Sequence, residues 1–264
     1  MKYFDPAHSR LVYISRQATP EFWDECWNDD QFRKTVTSVS PLSFVHKKTK
    51  EYLPLGASIL EGGCGRGQYV YALQKWGYKS YGVDYAPETI KKIHELFPEL
   101  QVQFGDVTGL SYENNFFDGY WSFGVIEHFY NGCEKILEEM HRVVKPGGYI
   151  FVTFPYMSPL RKWKARMKQY PLLSEKTDLT KFYQFALDPK KVQELALEKG
   201  LVLKELYPLD GIKGLKDEVK FLKPVLQYIY DSKFLPLKVL RQGINMVCRR
   251  FSGHSVLCVF EVKK

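Results

Sequence analysis

Four glycines fall within six residues, Gly62, Gly63, Gly65 and Gly67, in the string LEGGCGRGQYV from Leu60 to Val70. Glycine admits left-handed torsions and lets a ligand lie against bare backbone without a Cβ in the way. The surrounding residues exclude two common ligands. A Walker loop needs GxxxxGK followed by Ser or Thr, whereas Gly67 is followed by Gln68 and Tyr69. The dinucleotide fingerprint GxGxxG, started at Gly63, meets Gln68 where its third glycine belongs; started at Gly62, it meets Cys64 at its second. What remains is an acid followed by alternate glycines: Glu61, Gly63, Gly65, Gly67.

Glu61 closes an apolar run, and open α/β sheets bind ligands at the carboxyl ends of their strands. A carboxylate there suits a cationic partner such as an α-amino group. Asp84 closes the next strand-like run, 23 residues on, where an acid can accept hydrogen bonds from both ribose hydroxyls. Asp106, in FGDV, can accept from an exocyclic amine while the Val107 N–H answers a ring nitrogen. Three strand-end acids of this kind fit a nucleoside that bears an amino-acid tail. Glu127 and His128 follow a later run. An imidazole takes a proton near neutral pH, which makes His128 the candidate general base. Tyr156 and Tyr183 are candidates for orienting a substrate, and His46 reaches the mouth of the site if the N-terminal segment forms a lid.

The elements that must position these residues alternate from residue 57 onward. ASILEG, KSYGVD, QVQFGD, FDGYWSFG and YIFVTFP read as short buried strands. Between them QYVYALQKWG, PETIKKIHELF and CEKILEEMHRVV carry helical spacing, with stop and start signals at Gly77 and Pro87 and a KPGG turn before the fifth strand. Repeated strand–helix units imply a parallel sheet with helices on both faces. The rhythm breaks after Pro155 with a basic insertion over about 156–182. It resumes with DPKKVQELALEKG and LVLKELY, breaks again over 211–253, and closes on SVLCVFEV. Residues 1–55 fit no such unit; TPEFWDECW reads as a helix capped by Thr19 with Pro20 in its first turn.

The strings ILEGGCGRGQ, YGVDYAPETI, FDGYWSFGVIEHF and VVKPGGYIFVTFP, in that order, resemble the class I S-adenosylmethionine-dependent methyltransferases, in particular their small-molecule (type 11-like) branch. The likeness runs over about 57–155, 183–210 and 254–263. It implies a Rossmann-like α/β fold with seven mostly parallel strands and an antiparallel last strand. An N-terminal helical cap would occupy 1–55 and a methyltransferase domain 56–264, with lids after strands five and six. It implies S-adenosyl-L-methionine as cofactor, S-adenosyl-L-homocysteine as product and no metal. Glu61, Gly63 and Gly65 would border the methionine part, although the family often has Asp where Glu61 stands. Asp84 would hold the ribose, Tyr85 would flank the adenine, Asp106 and Val107 would read its edge, and Ser122 and Phe123 would line the floor near the sulfonium. His128 and Tyr156 are the catalytic candidates.

The acceptor is set by other features. No Asn/Asp-Pro-Pro-aromatic string follows the fourth strand, where the chain reads SFGV, so base N-methylation is disfavoured. Cys133 lacks the surroundings of a carbon-methylating nucleophile. The chain carries +8, and the charge is uneven. Residues 156–182 hold seven Lys/Arg against two acids and 212–250 hold nine against three, which leaves the remainder at −3. Basic insertions interleaved with Leu, Ile, Tyr and Trp suit an anionic small, sugar- or lipid-linked acceptor, and are compatible with peripheral contact at an anionic membrane. The alternative is an RNA-directed enzyme, or a cofactor-binding module that docks on RNA or membrane. Five cysteines, an odd number without CxxC spacing, and a start without a signal-like apolar core point to a reducing cytoplasmic setting, with contact at the inner membrane face as an extension.

Overall fold

The computed structural model describes residues 1–27 and 29–264. An antiparallel hairpin opens the chain, β1 (Lys2–Asp5) and β2 (Arg10–Ile14). Three helices follow: α1 (Pro20–Trp27), α2 (Phe32–Thr37) and α3 (Phe44–Tyr52). The alternating region is β3 (Ser58–Gly62), α4 (Gln68–Lys75), β4 (Lys79–Asp84), α5 (Pro87–Leu96), β5 (Gln101–Phe104), β6 (Phe117–Phe123), α6 (Glu134–Val143) and β7 (Val144–Pro155). The first insertion supplies α7 (Pro159–Arg166) and β8 (Phe182–Ala186). Then come α8 (Pro189–Glu198) and β9 (Leu201–Leu209). The second insertion forms α9 (Gly211–Glu218), α10 (Lys223–Asp231) and α11 (Leu235–Ser252), before β10 (Ser255–Val262).

The main sheet has seven strands in the order β5-β4-β3-β6-β7-β10-β9, with β10 antiparallel to both its neighbours. The expected architecture is present. Period-two alternation along the strands divides the core. Trp121, Phe151, Leu257 and Val259 face α3 and α4, where Val45 and Leu73 meet them. Tyr120, Ile150, Val152 and Cys258 face the opposite side, against Ile136, Leu137 and Met140 of α6 and Val192 and Ala196 of α8. Both sheet faces are thus covered, as a parallel sheet requires.

Two local features differ from the expected pattern. KPGG is not a separate turn before the fifth strand. It is a bulge inside β7, where the register to β6 jumps from Phe117↔Val144 to Gly119↔Tyr149. The N-terminal segment is also not purely helical, because β1 and β2 join β8 in a second, three-stranded sheet. The aromatic and β-branched residues of KYFD and RLVYI are the signal for that hairpin, and each run is short enough to pass for a loop. Among the described residues, no helix is long and apolar enough to cross a membrane.

Candidate cofactor and active site

Strands β3, β4 and β6 end side by side at the carboxyl edge of the sheet, and a cavity of about 270 Å³ opens above them. Gly63, Asp84, Tyr85, Gly105, Asp106, Val107, Phe123 and His128 line it, so most residues singled out in the sequence come together here. Asp84 is fixed by backbone: its carboxylate accepts the Gly65 N–H at 2.7 Å and the Ala86 N–H at 3.0 Å. Burial pushes its pKa up, against the pull of those N–H groups. Gly65 has φ +49°, and a Cβ there would come within 3.1 Å of the Trp27 indole. Gly62 cannot carry a side chain, because the Tyr120 hydroxyl lies where its Cβ would be.

Glu61 and Ser122 sit one layer behind the lining, 2% and 0% exposed. One Glu61 carboxylate oxygen and the Ser122 hydroxyl have no hydrogen-bond partner among the described residues. Burial and the neighbouring Asp84 raise the Glu61 pKa well above the usual range, with the Val70 N–H opposing. An orphaned, uncompensated carboxyl beside bare glycine backbone fits a cationic group arriving from outside the protein. Among the described residues no Lys or Arg lines the cavity. A polyphosphate or dinucleotide would leave its charge unmatched there, whereas a nucleoside with an ammonium or sulfonium group meets Glu61, Asp84 and Asp106.

His128 lies on the cavity wall, at the end of a single 3₁₀ turn. Its Nδ1 is 2.7 Å from the Tyr183 carbonyl. A carbonyl only accepts, so Nδ1 carries the hydrogen and Nε2 keeps its lone pair. Burial lowers the His128 pKa, partly countered by that bond, so the ring is neutral near pH 7. Tyr183 therefore acts on His128 through its backbone, and its ring also packs edge-on against the imidazole. Glu127 beside it is fully enclosed, has one unpartnered oxygen, and is pushed by burial to a pKa of about 8.

Three candidates lie elsewhere. Tyr156 is 4% exposed and packs beneath α11, its hydroxyl donating to the Arg249 carbonyl, so it does not join the cavity wall. His46 stacks on Trp76 and bonds the Pro41 carbonyl, away from the mouth. The third is the basic insertions. Arg161 and Lys164 of α7 turn to Glu218, and Lys162 to Asp188.

The residues that sequence reasoning missed come from α1 and the segment just before it. Ala18, Trp23 and Trp27 close one side of the cavity, with the two indoles stacked at 5.6 Å and Trp23 edge-on to His128. Two tryptophans at i and i+4 on a capped helix share one face, which was the available signal. None of the residues of α1 is buried, and polar clasps hold it down. Asp24 takes the Thr89 N–H and hydroxyl at 2.8 and 2.7 Å, at the start of α5. Tyr85 donates to the Ala18 carbonyl. Arg66, from the glycine loop, donates to the carbonyls of Cys26 and Trp27 and to the Asp29 carboxylate.

Residues 60–152 match the family model described as "Methyltransferase domain". Those residues, about a third of the chain, carry a methyltransferase domain, which supports the class I S-adenosylmethionine-dependent methyltransferase superfamily. A tRNA (carboxymethyluridine(34)-5-O)-methyltransferase of Arabidopsis thaliana is 33% identical over 135 residues, covering 50% of this chain and 30% of that one. A ubiquinone biosynthesis O-methyltransferase of Xanthomonas campestris pv. campestris is 28% identical over 132 residues, covering 48% and 54%. These matches therefore span about half or less of the curated relatives' length. The solved Haloferax volcanii complex of a putative methyltransferase with its Trm112 activator superposes with TM-score 0.57 at 17% identity, covering 95% and 100%. That likeness concerns the fold. S-adenosylmethionine is the cofactor that goes with this superfamily, and the orphaned Glu61 carboxyl, the Asp84–Gly65 corner and a lining without Lys or Arg among the described residues fit it.

Proposed function

We propose that this methyltransferase-fold chain moves a methyl group from S-adenosyl-L-methionine to a small, sugar-linked or lipid-linked acceptor. One observation carries the reading: Asp84, Asp106, bare glycine backbone and a histidine whose Nδ1 is engaged line one cavity, with no Lys or Arg among the described residues of its wall. Bound there, the cofactor supplies a sulfonium methyl that is already electrophilic, so positioning and exclusion of water account for much of the rate. Glu61 would hold the α-amino group, Asp84 the ribose, and Asp106 with Val107 the adenine edge beside Tyr85. Phe123 would floor the sulfonium, with Ser122 behind it. His128 takes the proton when the acceptor is a hydroxyl, with Tyr183 holding its tautomer. An anionic part of the acceptor would rest on the basic insertions, outside this cavity. A lipid-linked acceptor goes with a cytoplasmic protein in peripheral contact with the inner membrane face.

Calorimetry on the folded protein tests the reading. S-adenosylmethionine and its demethylated product should bind in the micromolar range, and Gly65→Arg or Asp84→Ala should abolish binding while circular dichroism stays unchanged. Absence of heat with either ligand on folded wild type defeats it. His128→Ala should keep the binding heat and slow transfer to a hydroxyl by about 10²–10⁴-fold. The similarity to a tRNA methyltransferase supports a second reading, an RNA acceptor. It predicts RNA binding whose affinity falls steeply with salt.

A further inference from the structure

The arm formed by α10 and α11 has an outer face that none of the described residues covers. The inner face of α11 is accounted for: Leu237 and Ile244 pack with Ile212, Leu226 and Ile229 of α9 and α10. On its other side Leu235, Val239, Leu240, Met246, Val247 and Phe251 are each between 47% and 77% exposed. At 3.6 residues per turn these six fall within an arc of about 160°, along a helix about 27 Å long. Phe221, Val225 and Tyr228, just before it in the chain, are 80%, 62% and 70% exposed. Scattered exposed apolar residues are ordinary, but a contiguous helical face of this length is not.

The charges around the face identify its occupant. Lys220, Lys223, Lys233, Lys238 and Arg250 are exposed, and none forms an ion pair among the described residues. Asp231 is the sole acid between residues 220 and 251, against seven Lys/Arg. A second copy would bring the same positive charge against itself. Nucleic acid would answer the lysines but leave Leu235, Val239, Leu240, Met246 and Val247 with nothing to stack on. An anionic bilayer surface answers both, since phosphate head groups meet the cations while the apolar arc enters the acyl boundary. Arg250, within the arc, reaches the head groups with its stem in the apolar layer. The helix lies on the membrane rather than across it, because it is not apolar enough to span.

The sheet places this arm next to the chemistry. Ser255 at the start of β10 pairs with Pro155 at the carboxyl end of β7. The arm therefore projects from the sheet edge on which β3, β4 and β6 also end. We propose that the outer face of α11, with α10, is an interfacial docking surface for an anionic lipid bilayer. This reading does not depend on methyl transfer.

Vesicle flotation tests it. Wild type should float with phosphatidylglycerol–phosphatidylcholine vesicles, not with pure phosphatidylcholine, and raised salt should release it. Val239→Asp with Val247→Asp should abolish flotation, and Lys238→Glu should weaken it about fivefold or more. All three substitutions are on exposed positions, so melting temperature and calorimetric cofactor binding should be unchanged. No flotation of folded wild type on anionic vesicles overturns the proposal. So does a dimer in solution that the double aspartate variant dissolves, or an RNA complex that survives it. Loss of cofactor binding in wild type would instead defeat the proposed function and leave the docking result standing.

Discussion

Single residues in this site are defined by what their polar atoms lack. Glu61, Ser122 and Glu127 each carry a buried atom without a partner among the described residues, in a structure whose other buried charges are mostly answered. Glu127 gives a direct test. Its carboxyl is raised from 4.5 to about 8 by burial, so the native state holds a proton that the unfolded chain has lost between those values. Stability from this group therefore falls as pH rises from about 4.5 and levels off above about 8. Glu127→Gln removes that dependence. The variant should match wild type in denaturant midpoint at about pH 5 and exceed it at about pH 9, by up to a few kcal/mol. Equal midpoints at both would show that Glu127 is ionised in the native state. The carboxylates of the proposed cofactor site were legible in the sequence, because Glu61, Asp84 and Asp106 each close a strand-like run. Tyr156 was not, because position after a strand says where the main chain is and not which way the ring turns. Here it turns under α11.

At the scale of elements, strand–helix alternation was readable because each unit carries its own stop and start signals. The cap was harder to read. α1 has a legible N-cap, with the Thr19 hydroxyl accepting the Phe22 N–H, yet its place over the cavity depends on long-range partners. Those partners are polar. Asp24 answers the orphan N–H groups at the start of α5, and Arg66 links the glycine loop to the end of α1. With none of its residues buried, α1 has little apolar burial to hold it down, and opening it requires only the loss of these clasps. Arg66→Ala should therefore loosen the cap without unfolding the sheet. Limited proteolysis should cut within residues 15–31 faster than in wild type, and saturating S-adenosylmethionine should slow the cut again. The affinity should fall by about tenfold, equivalent to one lost charged hydrogen bond. Unchanged proteolysis would mean that the indole stack with His128 holds the cap.

The whole molecule is a sheet with its variable parts inserted where strands turn. β9 and β10 are antiparallel partners in register at Leu209↔Ser255, so 211–253 is an insertion in a hairpin that could close with a short turn. Excision of those residues should leave the seven strands and cofactor binding in place and remove vesicle docking. It should also destabilise the protein for a separate reason. Arg161 is 1% exposed and donates to Glu218, the carboxylate that also pairs with Lys2 and Lys164 and that the excision removes. Burial pushes the Glu218 carboxyl up, but Lys2 and Arg161 outweigh it and hold it at about 2, so the pair is ionised across ordinary pH. A buried charge that loses its partner costs about 3–5 kcal/mol, whereas an apolar replacement of similar volume is often neutral. The excised chain should therefore unfold at lower denaturant than wild type, and Arg161→Met in the excised chain should recover most of that loss. The same Arg161→Met in the full chain should destabilise, because it removes the most buried cation from Glu218 and leaves it Lys2, Lys164 and the Tyr170 hydroxyl. Opposite signs for one substitution in two backgrounds would separate a charge network from a packing defect. Equal signs would mean that the insertion stabilises the sheet through apolar contact rather than through this charge network.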